Sequence, residues 1–170
     1  MSDMAVVDTG FLISLVDRSR AHHEAARSYY KYFLQHQTVM LLPTVVACEF
    51  CIVQPITDLP LRNFRILPFN LVDATKCAEL NAHHYRQQLA GTGQRDAVKD
   101  DFKIIAQAVV QQAGQLVTED ASTICRYCDL LRTDGKIQFR VVKLSDGFNE
   151  GFVNGGQPGL NLPGPSEPAS

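Results

Sequence analysis

The sequence predicts an α/β protein built on a right-handed, doubly wound parallel sheet. Short apolar runs alternate along the chain with longer stretches of helical period, which is the pattern of successive β-α-β units. The 170 residues, of which 45% are hydrophobic and 20% charged, are enough for one domain with a substantial core. No apolar run approaches the roughly 18 residues of a membrane span and no signal peptide is recognisable, so a cytoplasmic location is expected.

Five apolar runs are predicted as strands, and the segments of helical period between and after them as helices. The strands are Met4 to Asp8, Thr38 to Leu42, Arg65 to Phe69, Gln115 to Thr118 and Gln138 to Val142. The helices are Phe11 to Asp17, His22 to Gln35, Val45 to Val53, Ala74 to Leu89, Asp101 to Ala113 and Ala121 to Arg132.

The first strand ends at a carboxylate. The run Ala5-Val6-Val7 is followed by Asp8 and then by Thr9-Gly10, where a helix begins. An Asp in this position commonly caps the N-terminus of the helix. It also faces the crevice beyond the carboxyl ends of the strands, where doubly wound sheets bind ligands. Either role is open to Asp8.

The helix after the second strand carries a carboxylate on an apolar face. The neighbours of Glu49 three and four positions away are Val45, Val46, Ile52 and Val53. Helical geometry places these side chains on one side, which predicts that Glu49 lies on a buried stripe. Because burying an unpaired carboxylate is costly, Glu49 needs a cation, a hydrogen-bond network or an open cleft. The alternative is a neutral or salt-bridged core glutamate.

Two further carboxylates flank the fourth strand. Asp101 is predicted to begin a helix and to point inward, whereas Asp100 points toward solvent. The apolar face that Asp101 shares contains Ile104, Ile105, Ala108 and Val109. Asp120 follows the strand and precedes the next helix. The alternatives are an acid stabilised in a first helical turn for Asp101 and an N-cap for Asp120.

These four carboxylates are expected to meet at one end of the sheet. Crowded carboxylates raise one another's pKa values and are tolerated at neutral pH chiefly when a cation neutralises them. Ligation by carboxylate oxygens suits Mg²⁺ or Mn²⁺ better than Zn²⁺, and such sites commonly hydrolyse phosphodiesters. The hydroxyls of Thr9 and Thr118 are candidates for additional contacts at the site.

Four segments together resemble the PIN-domain nucleases, in particular the VapC-type toxins of bacterial toxin–antitoxin pairs. They are VVDTGFLISLVD at 6–17, HHEAA at 22–26, VVACEF at 45–50 and DFKIIAQAVVQQAGQLVTED at 101–120. The resemblance implies a PIN-like three-layer α/β/α fold with a central parallel sheet of about five strands. It implies a single-strand-preferring endoribonuclease whose Mg²⁺ or Mn²⁺ site consists of Asp8, Glu49, Asp101 and Asp120. A homodimer and a cognate antitoxin partner are further implications.

The chain departs from the family pattern at several places. Gly10 stands where the family often has Asn, and Ser122, a candidate contact to the site, stands where many members have a second acid. Few residues separate Glu49 from the third strand, which leaves little room for a dimerising helical clip. Composition divides the chain into a PIN-like nuclease domain, 1–145, and a Gly/Pro-rich tail, 146–170.

Two other residue groups are candidate sites. Cys48 with Cys51 and Cys125 with Cys128 form two CxxC pairs, but both fall in helical patterns, which favours ordinary core or partly buried cysteines over a zinc site. A basic stripe spaced four residues apart, which is a candidate to bind RNA phosphate, consists of Arg95, Lys99 and Lys103. An ordinary solvated helix face is the alternative for that stripe.

The charge balance is compatible with an RNA substrate. The net charge is −2, but the tail contains three acids and no Lys or Arg, which leaves 15 acids against 16 bases in the body. Assigning four of those acids to a metal site leaves a surface with excess positive charge. A catalytically idle PIN-like module that binds RNA or protein is the alternative function. A small-molecule phosphatase is less favoured, because no phosphate-loop or nucleophile motif is present.

Overall fold

A computed structural model describes residues 3–88, 95–120 and 122–154 of the chain. It contains one sheet of five parallel strands, which confirms the predicted fold class. The strands are β1 (Met4–Val7), β2 (Val39–Pro43), β3 (Phe64–Leu67), β4 (Gln115–Thr118) and β5 (Arg140–Lys143). The helices are α1 (Thr9–Val16), α2 (His23–Gln35), α3 (Thr44–Val53), α4 (Leu71–Leu80), α5 (Ala82–Gln88), α6 (Arg95–Val110), α7 (Ile124–Thr133) and α8 (Glu150–Asn154).

The strand order β3-β2-β1-β4-β5 places β1 at the centre of the sheet. β1 pairs with β2 through Val6 and Leu41, and with β4 through Val6 and Leu116. All three of these side chains are fully buried, as expected for central strands covered on both faces. The chain proceeds to one side of β1 for β2 and β3 and then to the other side for β4 and β5. The carboxyl ends of β1 and β4 therefore form the switch point at which such sheets bind ligands.

The core lies between the sheet and the helices and is rich in aromatic side chains. Tyr29 and Phe33 of α2 are fully buried, with ring centroids 6.2 Å apart. Phe102 of α6 packs edge-on against Tyr127 of α7, at 5.1 Å between centroids. This packing fixes the position of the helices around the switch point.

Three helices differ from their predicted boundaries by three residues or more, among them α7, which begins at Ile124 and not at Ala121. The predicted helix from Ala74 to Leu89 is divided at Asn81, which adopts a left-handed conformation with φ of 58° between α4 and α5. The helix predicted to begin at Asp101 begins at Arg95 instead. The first turns of this helix are polar and show no helical spacing of apolar residues, so the sequence indicated a helix only from Asp101 onward, where the apolar face begins.

The predicted buried stripe on α3 is wrong. Val46 and Phe50 are fully buried, but Ile52 is 81% exposed and Val53 is 60% exposed. The last turn of α3 therefore lies in solvent, and the buried face follows Val46 and Phe50, one turn apart. Glu49 borders that face and is half-buried.

The first part of the predicted tail packs on the body. Tyr29 Oη donates a hydrogen bond to the carbonyl of Gly147 at 3.0 Å and accepts one from the amide of Asn149 at 3.2 Å. The Phe148 ring packs edge-on against Tyr29 at 4.9 Å between centroids. Residues 155–170 lie outside the described part of the chain. None of the described helices is long and apolar enough to cross a membrane.

Candidate active site

A cleft of about 310 Å³ opens at the carboxyl ends of β1 and β4. It brings together the four carboxylates that the sequence singled out, which come from the end of β1, from α3, from α6 and from the loop after β4. The lining residues are Asp8, Thr9, Gly10, Glu49, Asp101, Ile104, Glu119, Asp120, Thr123 and Ile124.

Asp8 follows β1 directly and is 6% exposed. Its Oδ1 accepts a hydrogen bond from the amide of Phe11 at 2.7 Å, which caps α1, and its Oδ2 accepts one from the Thr118 hydroxyl. Burial raises the pKa of Asp8 to about 7, and the nearby Asp120 and Glu119 carboxylates contribute in the same direction. The capping role and the position in the cleft therefore coexist in one side chain.

Asp101 points inward from α6 as the seventh residue of that helix rather than in its first turn. The explanation of Asp101 as a favourable first-turn acid is therefore wrong. Its pKa is raised to about 7, chiefly by burial, and the carboxylates of Asp120, Asp8 and Glu49 contribute in the same direction. Its Oδ2 is buried and has no hydrogen-bond partner in the described part of the protein.

Asp120 is held by the start of the next helical segment. Its Oδ1 accepts hydrogen bonds from the Ser122 amide and hydroxyl, at 2.6 and 2.7 Å, and from the Thr123 amide at 3.0 Å. The Thr123 hydroxyl donates to its Oδ2. Burial alone would raise the pKa of Asp120, but these hydrogen bonds outweigh that effect and lower the pKa below its ordinary value. Asp120 is therefore ionised at neutral pH.

Each hydroxyl that the sequence suggested as a supporting contact touches a carboxylate of the cleft. Thr9 donates to Glu49 Oε2, and Thr118 donates to Asp8 Oδ2. Thr118 Oγ1 also accepts a hydrogen bond from the Asp120 amide at 2.9 Å, which links the ends of β1 and β4. With Ser122 on Asp120, these contacts fix three of the four carboxylates through the adjoining elements.

Sequence reasoning missed three residues at this site. Glu119 lines the cleft as a fifth carboxylate and forms an ion pair with Arg20, Nη2 to Oε2 at 2.7 Å. Thr123 contacts both Asp120 and Asp101. Glu119 was adjacent to a singled-out acid, which was the available signal. Arg20 lies 99 residues from Glu119 in the sequence, and no local pattern marked it as a site residue.

The one side chain of the predicted basic stripe that the structure describes, that of Lys103, does not line the cleft. Lys103 Nζ forms an ion pair with Asp100 Oδ1 at 2.7 Å and is absent from the cleft lining. The side chains of Arg95 and Lys99 lie outside the described residues, although their backbone belongs to α6. An RNA-binding role for the stripe stays a prediction.

The cysteines do not converge on one site. Cys48 and Cys51 are exposed on α3, whereas Cys125 and Cys128 are buried in α7. Burial raises the pKa of the Cys125 thiol to about 12. Both pairs lie in helices as predicted, and all four are free thiols. The prediction of core or partly buried cysteines is confirmed for Cys125 and Cys128 and is wrong for Cys48 and Cys51, because their part of α3 faces solvent.

The donor chemistry of the cleft fits a hard divalent cation. Carboxylate oxygens are the ligands that Mg²⁺ and Mn²⁺ prefer. Asp101 Oδ2 is a buried acceptor with no hydrogen-bond partner among the described residues. Within the described ranges, no three His, Cys, Asp or Glu side chains stand in a metal-coordinating arrangement. Three of the four carboxylates instead accept hydrogen bonds from hydroxyl groups, which orient them at the cleft.

No family model matches the chain, and neither does any curated protein sequence. Solved structures do match. A chain of the VapBC2 complex from Rickettsia felis, solved with a DNA fragment from its promoter, is 12% identical at a TM-score of 0.55, covering 81% of this chain and 98% of its own length. A chain of DNA-bound VapBC from Salmonella typhimurium is 15% identical at a TM-score of 0.51, with 85% of this chain and 99% of that one covered. The chain therefore has a PIN-domain fold of the VapC type.

Proposed function

We propose that the protein is a divalent-metal-dependent endoribonuclease and the toxin component of a toxin–antitoxin pair. The observation that supports this most is the convergence of Asp8, Glu49, Asp101 and Asp120, from four separate elements, on one cleft at the switch point of the sheet. Asp101 Oδ2, which is buried and has no hydrogen-bond partner among the described residues, adds support, because such an acceptor is costly unless a cation or donor meets it.

The four carboxylates are the proposed ligands of Mg²⁺ or Mn²⁺. When bound, such an ion lowers the pKa of a water molecule and stabilises charge on a phosphodiester. Because the pKa values of Asp8 and Asp101 are raised to about 7, each carboxyl group is partly protonated at neutral pH and must release its proton when the cation binds. The activity should therefore require divalent metal.

The remaining residues of the cleft orient these groups. The Ser122 and Thr123 hydrogen bonds keep Asp120 ionised and fixed at the end of β4. Glu49, held by the Thr9 hydroxyl, is either a ligand or the group that orients the attacking water. Thr118 couples Asp8 to the backbone of Asp120, so the two strand-end acids keep a fixed separation.

The toxin assignment rests on the fold. Both matched structures are VapBC complexes bound to DNA, which supports an antitoxin as the protein partner of this chain. RNA is the proposed substrate because the motifs around Asp8, Glu49 and Asp101 resemble those of the PIN-domain ribonucleases, and a flexible single strand can bring a phosphodiester to the acidic cleft. A homodimer is part of the same proposal.

The test is RNA cleavage by the purified chain and by Asp8→Asn, each with Mg²⁺ and with a chelator. Asn retains an acceptor for the Phe11 amide, so the cap on α1 should survive while the ligand charge is lost. We expect cleavage to fall by about 100-fold or more, because the metal contributes several kcal/mol to the transition state. Asp58→Asn, an exposed acid remote from the cleft, is the matched control and should cleave normally.

Three results would contradict this proposal. They are full activity of the folded Asp8→Asn protein, cleavage that persists in chelator, and RNA binding by the wild-type chain without any cleavage. The last result would favour the idle binding module.

A further inference from the structure

An ion pair ties the turn after α1 to the acidic cleft. Arg20 Nη2 donates to Glu119 Oε2 at 2.7 Å, and the two side chains are 43% and 18% exposed respectively. Glu119 lines the cleft, whereas the partly exposed Arg20 contacts Glu119 but is not among the lining residues. The pair therefore places a guanidinium beside a cavity lined by five carboxylates.

Gly10 makes this position of Glu119 possible. A Cβ atom on Gly10 would lie 2.7 Å from Glu119 Cβ and 3.1 Å from Glu119 Oε2, both closer than normal carbon contacts. The same point is 3.6 Å from Asp8 Oδ1. Since the clash alone excludes a side chain here, the need for glycine comes from space at the cleft and not from backbone conformation.

The backbone of Arg20 is fixed as well. Asp17 Oδ1 accepts hydrogen bonds from the Ser19 amide at 2.9 Å and the Ser19 hydroxyl at 2.6 Å. The Arg20 amide donates to the Asp17 carbonyl at 3.2 Å. A short turn built in this way holds the start of the Arg20 side chain while Glu119 holds its end.

Arg20 has donors to spare. A guanidinium carries five N–H groups, and its Nε and Nη1 have no hydrogen-bond partner in the part of the chain that the structure describes. An exposed ion pair alone contributes little stability, so stability does not account for the close fit of Gly10 and Glu119. The planar fork of Arg matches the oxygens of a phosphate.

We propose that Arg20 binds a phosphate of the substrate backbone at the mouth of the cleft, and that Glu119 is a positioning residue that orients it. This inference rests on the proposed ribonuclease function and names a substrate-binding residue for it. A polyanion that approaches five carboxylates is repelled, and a guanidinium at the rim offsets that repulsion where the phosphodiester enters.

The test measures binding of a labelled single-stranded RNA to the full chain carrying Asp8→Asn, with Mg²⁺ present, together with steady-state cleavage by the chain without that substitution. Arg20→Ala should weaken binding by about 10-fold or more and flatten the salt dependence by about one charge. In cleavage, KM should rise more than kcat falls. Arg20→Lys keeps the charge but loses the planar guanidinium, so its RNA affinity should lie between those of the chain with Arg20 and of Arg20→Ala. Arg18→Ala, in the same exposed turn, is the control and should change binding little.

The positioning role of Glu119 has its own readout. Glu119→Ala should weaken RNA binding several-fold although it removes a negative charge, and Glu119→Gln, which retains the acceptor for Arg20, should restore most of it. Gly10→Ala should mimic Glu119→Ala because the added Cβ displaces Glu119.

The outcomes separate this inference from the function on which it rests. If the wild-type chain cleaves RNA and Arg20→Ala binds and cleaves like wild type, the role of Arg20 is wrong and the ribonuclease stands. Equal losses for Arg18→Ala and Arg20→Ala would also overturn it, because they would indicate nonspecific attraction. If the wild-type chain does not cleave RNA, the proposed function itself is wrong.

Discussion

Asp8 combines a structural and a chemical position in one side chain. One carboxylate oxygen caps α1 through the Phe11 amide, and the other accepts from Thr118. Burial nonetheless raises its pKa to about 7, so these hydrogen bonds offset only part of the cost of removing the charge from water. The capping contact and the charge are separable by substitution with Asn, which is why that variant tests the chemistry without removing the cap.

Asp101 is the carboxylate that burial disfavours without full compensation, and its replacement should stabilise the metal-free protein. Its Oδ2 has no partner in the described part of the chain, and three neighbouring carboxylates repel it. In Asp101→Asn the amide donates to those carboxylates instead. At pH 8 in chelator we expect the free energy of unfolding to rise by about 1–2 kcal/mol, measured by urea denaturation.

Asp100→Asn is the matched control for that experiment. Asp100 is the neighbouring residue, and it forms a partly exposed pair with Lys103. Losing such a pair should change the free energy of unfolding by less than about 1 kcal/mol. Destabilisation by Asp101→Asn in the absence of metal would contradict the view that Asp101 carries an uncompensated charge.

Individual site residues could be predicted where a charge interrupted a local pattern. Asp101 and Asp120 stood out because each adjoins an apolar helix face or strand, and the structure places both in the cleft. Arg20 and Glu119 meet across 99 residues, and nothing in either local sequence records the contact. Long-range ion pairs depend on how elements pack, which periodicity does not encode.

At the scale of elements, the buried face of α3 should contribute far more to the free energy of unfolding than its exposed face. Phe50 is fully buried, whereas Ile52, two positions later, is 81% exposed. Phe50→Ala should lower the free energy of unfolding by about 3–5 kcal/mol through lost burial and a cavity. Ile52→Ala should change it by about 0.5 kcal/mol or less, because the side chain is already in water.

Denaturant unfolding of the two variants at one protein concentration checks this expectation. Comparable losses for both would mean that Ile52 is covered in solution, and the solvent-exposed last turn of α3 would then be the wrong description.

Element boundaries were least predictable where local signals were weak. The polar first turns of α6 ahead of Asp101 have no apolar period, so the helix was predicted to start six residues late. The break at Asn81 depends on a left-handed residue, which Asn tolerates but does not require. The apolar strands, in contrast, were predicted within two residues at both ends.

At the scale of the whole molecule, the strand order explains why acids distant in sequence share one cleft. β1 lies between β2 and β4, and the amide of Asp8 donates to the carbonyl of Val117 at 3.2 Å, which carries the β1–β4 pairing to the edge of the site. The alternation of strands and helices predicted a parallel sheet with a switch point. The packing of residues 146–154 on α2 was not predictable, because the Gly/Pro-rich composition of 146–170 indicates a tail. Nothing in that composition indicates the contacts that Phe148 and Asn149 make with Tyr29.

The same convergence predicts how the stability of the metal-free protein depends on pH. Asp8 and Asp101 have pKa values of about 7 in the folded protein, above the ordinary value of 3.8, so the folded state holds more protons than the unfolded state between these values. Their stabilising contribution is therefore complete below about pH 4 and is lost as the pH rises through 7. Asp120 and Asp17 have lowered pKa values, so they change the stability only below about pH 4. The thiols of Cys125 and Cys128 have raised pKa values and change it only above about pH 9.

Thermal unfolding in chelator between pH 5 and pH 8 isolates these two carboxylates. We expect the Tm to fall by about 10 °C or more over this interval, since the two groups each titrate over about two pH units within it. One pKa unit corresponds to about 1.4 kcal/mol, and about 1 kcal/mol shifts the Tm of a chain this size by 2–4 °C. Asp8→Asn should reduce the slope and the double variant with Asp101→Asn should nearly abolish it. Adding Mg²⁺ should raise the Tm more at pH 8 than at pH 5, because the cation competes with protons for the same oxygens. A Tm in chelator that rises with pH, or a slope that the double variant keeps, would show that these carboxylates are not the groups that the fold holds protonated.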